Sequence, residues 1–131
     1  MVGGRTRGHG EGDVVSRAHL AQVRAEVGDD TLRRYARVYL ELLPGRLERI
    51  EQALAAADYT LATGVMFDLR VSSEMLGATR LGRLVAELEA APRLGLPAAP
   101  VQVARVRTEA LLVAAVVRAT MAGDGLGGRA G

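Results

Sequence analysis

Few side chains in the sequence could carry chemistry, and they are scattered. The histidines are His9 and His19, cysteine is absent, and Asp68 lies shortly before the pair Ser72 and Ser73. A nucleophilic serine needs a base within hydrogen-bond reach, and an acidic metal pocket needs more than one carboxylate. A lone histidine is more often idle, or packed or capping locally, than a ligand. The sequence therefore predicts no catalytic residue, no metal site and no cofactor, hence not an enzyme.

Composition limits the remaining classes. The chain has 131 residues, enough for one domain with a core, and 49% are apolar although Phe occurs once and Trp never. A core of Leu, Val and Ala favours closely packed helices. The basic residues are all Arg, interleave with acidic ones and form no one-sided stripe, which argues against nucleic-acid binding. The longest apolar run, Ala110 to Val117, is too short to span a membrane, so we expect a cytoplasmic protein.

Glycine-rich segments without periodicity mark both ends. Residues 1–12 and 122–131 are predicted to be flexible tails, which leaves 13–121 for the folded domain.

Between the tails, capping residues and apolar spacing predict a series of helices. Their start signals are Asp13 or Ser16, Asp29 with Asp30, Asp58, the apolar series from Leu81, and Pro100. Pro44 bends or restarts the second helix, and the segment from Ala91 to Pro100 is a connection. Because no segment alternates with period two and the loops are short, the sequence predicts an all-α, antiparallel up-down four-helix bundle with an additional short N-terminal helix.

The helix predicted from Tyr59 to Leu76 has an unusual outward face. Its buried stripe is predicted to be Leu61, Val65, Leu69, Ser72 or Ser73, and Leu76. Phe67 lies roughly 160° from this stripe, on the face shared by Thr63, Arg70, Val71 and Glu74. Three interpretations are open: Phe67 is a binding residue, it is a single exposed apolar residue without function, or the helix phase is wrong and Phe67 is core.

The same stretch resembles histidine-containing phosphotransfer (HPt) domains. The resemblance covers most of residues 15–120, and its central matches are Leu69, Ser72, Ser73, Leu76, Gly77, Ala78, Leu81, Leu88 and Glu89. Further matching segments are Gly28 to Asp30 and Leu42 to Gly45. The resemblance implies an HPt-like helical bundle.

The sequence departs from the HPt family pattern at positions that the family uses for phosphoryl transfer. The position of the phosphoryl-accepting histidine is Phe67 here, and a benzyl side chain has no nitrogen lone pair. The family lysine three positions later is Arg70, and the family glycine after it is Val71, which partly fills the space where a receiver domain closes over the histidine. The resemblance therefore implies an HPt-like module without phosphotransfer.

The partner that this resemblance implies is a response-regulator receiver domain or a histidine kinase of a two-component phosphorelay. The partner-binding residues would be Thr63, Phe67, Arg70, Val71 and Glu74. The module would act as a decoy, tether or regulator.

Two other functions stay open. The bundle could be a structural homodimer, associating through the Phe67 surface or through Leu111, Leu112 and Val116, which lie off the buried register of the last helix. It could instead be a true phosphotransferase whose histidine is supplied in another way.

Overall fold

The computed structural model describes the backbone of residues 13–130 and the side chains of residues 13–123. This part of the chain consists of five α-helices and contains no strand. The helices are α1 (Arg17–Val27), α2 (Asp29–Ala55), α3 (Tyr59–Met75), α4 (Thr79–Arg93) and α5 (Pro100–Ala130). Helices α2 to α5 form an antiparallel up-down bundle in which each helix packs on the next, α5 returns to α2, and α1 packs on α2. The predicted fold class is confirmed.

Leucine, valine and alanine build the core, as the composition indicates. Each bundle helix contributes a stripe at three-four spacing, for example Leu32, Ala36, Tyr39 and Leu43 on α2. On α5 the buried series is Val106, Ala110, Val113 and Val117. The side chains of α3 that face this core are Ala62, Val65, Met66, Leu69 and Ser73. This burial leaves the opposite side of α3 exposed.

Some details of the predicted elements are wrong. Asp29 and Asp30 do not cap α2, because Gly28 is the N-cap and the two carboxylates lie in the first turn, where the helix dipole favours negative charge. Pro44 does not restart α2, because Asp29–Ala55 is one helix of 27 residues that contains it. Helix α4 continues through Pro92 to Arg93, so the last connection is shorter than predicted.

One predicted core position is wrong. Leu61, placed in the buried stripe of α3 from the sequence, is 42% exposed in the first turn of that helix. The residue that is buried in this turn of α3 is instead Ala62.

The predicted domain boundaries are not tested. Residues 1–12 lie outside the described part of the chain, and α5 continues through most of the segment 122–131. That these segments are flexible tails stays a prediction.

The N-terminal helix is attached to the far end of α3. The Ser16 backbone N–H donates to the Gly77 carbonyl at 3.0 Å, and His19 Nε2 donates to the Met75 carbonyl at 2.8 Å. Gly77 has a φ of 81°, and a methyl group added there would lie 3.2 Å from the Ser16 carbonyl oxygen. Glycine is needed at this position both for the backbone conformation and for the close approach of α1.

Candidate functional site

The outward face of α3 carries a row of exposed apolar side chains. Phe67, Val71 and Met75 follow one another at intervals of four residues, and Phe67 is 51% exposed. The predicted outward orientation of Phe67 is therefore confirmed, and the interpretation that places it in the core is wrong. We call Phe67, Arg70, Val71 and Met75 together the Phe67 face.

Arg70 joins this row to the neighbouring helix. Its guanidinium carbon lies 5.3 Å from the centre of the Phe67 ring, within the range of a cation–π contact. Its Nε donates to Glu89 Oε1 on α4 at 2.7 Å. The hydrogen bond to the Glu89 carboxylate raises the pKa of Arg70 above its ordinary value, so the side chain carries its positive charge throughout the usable pH range.

Glu89 is a buried carboxylate in which Oε1 accepts a hydrogen bond and Oε2 does not. Its side chain is 2% exposed. Oε2 has no hydrogen-bond partner among the described residues, and the Arg93 guanidinium lies 3.9 Å from it. A buried oxygen without a hydrogen bond is uncommon in folded proteins and calls for an explanation.

A hollow lies beside Phe67 on the N-terminal half of α3. It has a volume of about 640 Å³, is open to solvent, and lies over Gly64, where no neighbouring atom would contact an added methyl group. Its walls include Thr63, Phe67 and Asp68 of α3, Arg49 of α2, and Glu89 and Arg93 of α4. The missing side chain at Gly64 therefore creates a depression flanked by an aromatic ring and two guanidinium groups.

The predicted partner-binding residues do not all lie together. Thr63 and Phe67 line the hollow, Arg70 covers the ring, and Val71 continues the apolar row. Glu74 instead lies against Gly82 of α4, where an added methyl group would come within 2.7 Å of Glu74 Cγ. Their common role as partner-binding residues stays a prediction.

Sequence reasoning missed Met75 and the part played by Glu89. The four-residue spacing of Phe67, Val71 and Met75 in the sequence could have identified Met75 as part of this face. Glu89 matched the family pattern, but its ion pair with Arg70 joins positions 19 residues apart on different helices, and no local spacing reveals such a contact.

The two serines of α3 have structural roles. Ser73 is buried, and its hydroxyl shares a 2.9 Å hydrogen bond with the Tyr39 hydroxyl. The Ser72 hydroxyl donates to the Asp68 carbonyl at 2.7 Å, one turn earlier, and accepts from Arg46 Nη1 at 3.1 Å. Neither hydroxyl has a histidine or carboxylate partner that could act as a base.

His19 caps the end of α3 and does not act locally as predicted. Its acceptor, the Met75 carbonyl, is 56 residues away in the sequence. Met75 lies eight residues beyond Phe67, or about 12 Å along the helix axis. The His19 ring is therefore a contact between α1 and α3, remote from Phe67. His9 lies outside the described residues.

The described residues offer neither a metal site nor a membrane-spanning helix. Within residues 13–123 no three His, Cys, Asp or Glu side chains are grouped so that they could hold a metal ion. No helix in the described part combines the length and the apolar character needed to cross a bilayer.

Comparison with solved structures shows a known fold. The chain is similar to histidine-containing phosphotransfer protein B (HptB) from Pseudomonas aeruginosa PAO1, with a TM-score of 0.75 and 23% sequence identity over 82% of this chain and 94% of that chain. No protein-family model matches the sequence, and a search of curated proteins gives no match. The five-helix arrangement of this chain is therefore an HPt-like fold.

Proposed function

We propose that this protein is a non-catalytic HPt-like signalling module, which docks on a receiver domain or a histidine kinase of a two-component phosphorelay and relays no phosphate. One observation carries the proposal. An HPt-like bundle presents an exposed phenylalanine, Phe67, at the position where the resemblance in sequence places the family's phosphoryl-accepting histidine.

The chemistry around Phe67 supports the absence of phosphoryl transfer. A phosphoryl group needs a nucleophile with a free lone pair, and the benzyl group of Phe67 has none. The guanidinium of Arg70 is fully protonated, and Asp68 is a single carboxylate without an acidic cluster in the described residues. His19 donates its Nε2 proton to Met75 at the other end of α3.

The surface chemistry supports docking. Protein interfaces concentrate their energy in a few aromatic, apolar or arginine anchors surrounded by polar groups. The Phe67 face has this composition, with an aromatic ring, two further apolar side chains and an arginine in one row. Burial of an exposed Phe or Val side chain contributes roughly 1.5–3 kcal/mol. Such a face would keep the affinity of a docking site after the loss of the histidine.

The proposal is tested by binding and transfer in parallel. The protein is titrated with receiver domains and histidine-kinase domains from the same organism, and is then incubated with the phosphorylated form of any domain that binds. We expect at least one domain to bind and no acid-labile phosphate to appear on this chain. Acid-labile phosphate on this chain would contradict the non-catalytic part, and the absence of binding across the panel would contradict the docking part.

Self-association is a second candidate, favoured by the last helix. Leu111 and Leu112 are exposed on α5, whereas Val116 is partly buried and packs against the core. Sedimentation equilibrium of the wild type and of Leu111→Ala with Leu112→Ala tests this candidate. A dimer that the double substitution makes monomeric would support it.

A further inference from the structure

We propose that Glu89 is the positioning residue of the Phe67 face. From a buried place on α4 it holds Arg70 over Phe67, so that the aromatic ring and the guanidinium form one prearranged recognition surface. This inference rests on the proposed function, because it names the residue that organises the same docking site.

The burial of Glu89 is the first step. A carboxylate at 2% exposure loses its hydration, and only its hydrogen bond and its ion pairs compensate. Its neighbours on the buried stripe of α4 are Val85 and Leu88. A leucine in place of Glu89 would continue that stripe, and apolar replacements of buried ion pairs are often neutral or stabilising. Stability alone therefore does not account for a carboxylate here.

The geometry of the ion pair is the second step. Glu89 Oε1 takes the Nε proton of Arg70, while the guanidinium lies against the Phe67 ring. A free arginine side chain has many rotamers, and fixing it at the moment of binding lowers affinity. Here the Arg70 side chain is ordered before any partner arrives, held on one side by the carboxylate and on the other by the ring.

The remaining donors of Arg70 define the partner chemistry. The Nη nitrogens make no hydrogen bond within residues 13–123, so they are left to donate to a partner. The partner that fits would cover Phe67 and Val71 with apolar side chains and offer a carboxylate or carbonyl oxygen to Arg70. The adjoining hollow is lined by Arg49 and Arg93 and also by the carboxylates of Asp68 and Glu89, so its charges are balanced and Arg70 itself is the group that selects the partner oxygen.

A matched pair of substitutions separates positioning from a general structural effect. Glu89→Leu removes the acceptor of Arg70. The control is Glu109→Leu, because Glu109 is the other buried carboxylate of an ion pair, with Arg80 at 2.9 Å, and belongs to α5. Both variants are first checked for a cooperative thermal transition. If Glu89→Leu does not fold, Glu89→Met replaces it, since the thioether keeps the length of the side chain and removes the carboxylate acceptor.

The first readout needs no partner. Phe67 is the single Phe of the chain, so its ring resonances are identified without ambiguity in an NMR spectrum of labelled protein. We expect Glu89→Leu to shift the Phe67 ring resonances and to increase the mobility of the Arg70 Nε–H, and Glu109→Leu to change neither. Unchanged Phe67 and Arg70 signals in folded Glu89→Leu, or in Glu89→Met, would overturn the inference.

The second readout uses a receiver or kinase domain that binds the wild type. Glu89→Leu is expected to weaken binding about three- to tenfold, the cost of ordering one long side chain. Combined with Arg70→Ala it should weaken binding no further than Arg70→Ala alone, because Glu89 acts through Arg70. Additive losses, or an equal loss in Glu109→Leu, would reject a positioning role. If no domain binds, the proposed function fails, and the NMR comparison still decides whether Glu89 positions Arg70.

Discussion

Arg70 and Phe67 lie three residues apart on α3, and the Arg70 guanidinium covers the exposed Phe67 ring with 5.3 Å between its central carbon and the ring centre. The contact shields part of an apolar surface and at the same time presents a permanent positive charge next to it. Glu89 on α4 accepts a hydrogen bond from the Arg70 guanidinium. The Arg70 side chain is therefore ordered before a partner binds. An ordered aromatic and arginine pair is typical of the residues that dominate protein interfaces.

The attachment of α1 gives a prediction about folding stability. Gly77→Ala is expected to lower the free energy of unfolding by about 1–3 kcal/mol, because the residue has a positive φ and its new methyl group would meet the Ser16 carbonyl. The control is Gly45→Ala on α2, where no atom lies within 4 Å of the added methyl group. This control should be stabilising by about 0.5–1 kcal/mol, as alanine favours the helix. Urea titrations of both variants measure the two values, and equal effects would contradict the close packing at Gly77.

How far the sequence predicts this structure depends on the range of each interaction. Caps such as Ser16 and Asp58 follow from local rules, and the structure confirms them. The outward direction of Phe67 follows from helix periodicity in the same way. Local rules fail at Leu61, which is exposed while the adjacent Ala62 is buried in its place.

Long-range polar contacts were beyond sequence reasoning. His19 was expected to act locally and instead caps α3 through Met75. The ion pair between Arg70 and Glu89 depends on the crossing of α3 and α4, which periodicity does not specify. These two contacts order the two ends of the α3 surface, so the arrangement of the candidate site became visible only in the structure.

The ion pair between α2 and α5 predicts an acid-dependent loss of stability. Arg107 donates to both oxygens of Glu51, at 2.6 and 2.8 Å, and these hydrogen bonds lower the pKa of Glu51 below its ordinary value of 4.5. A carboxylate with a lowered pKa in the folded state stabilises the fold fully above its unfolded pKa and loses this contribution as the pH falls through the folded pKa. Both side chains are about one third exposed or more, so the contribution is about 1 kcal/mol or less.

Thermal unfolding between pH 7 and pH 3 measures this contribution. Glu51→Gln should lower the stability at pH 7 and show a smaller further loss below pH 4.5 than the wild type. Glu87→Gln, which replaces an exposed carboxylate on α4 without an ion pair to any described residue, is the control and should follow the wild-type profile. Parallel profiles for wild type and Glu51→Gln would show that the pair contributes nothing.

Tyr39 gives a prediction at alkaline pH. Burial is the main cause that raises the pKa of Tyr39 from 10.0 to about 12, while its hydrogen bond to Ser73 acts in the opposite direction. Because the folded pKa is the higher one, the neutral phenol stabilises the fold fully below pH 10, and this contribution is lost as the pH rises towards 12. Absorbance titration of tyrosinate should therefore show a late step that is absent in Tyr39→Phe. A wild type whose three tyrosines all ionise near pH 10 would contradict the burial of the Tyr39 phenol.

The most direct test of the docking account compares two exposed apolar residues on different helices. Affinity for the receiver or kinase domain that binds the wild type is measured by calorimetry for Phe67→Ala on α3 and Leu111→Ala on α5, which are 51% and 57% exposed in the wild type. We predict that Phe67→Ala weakens binding about tenfold or more, equivalent to about 1.4 kcal/mol, and that Leu111→Ala leaves it unchanged while both variants stay folded. Full affinity in folded Phe67→Ala, or a loss confined to Leu111→Ala, would contradict the account and assign binding to the α5 surface.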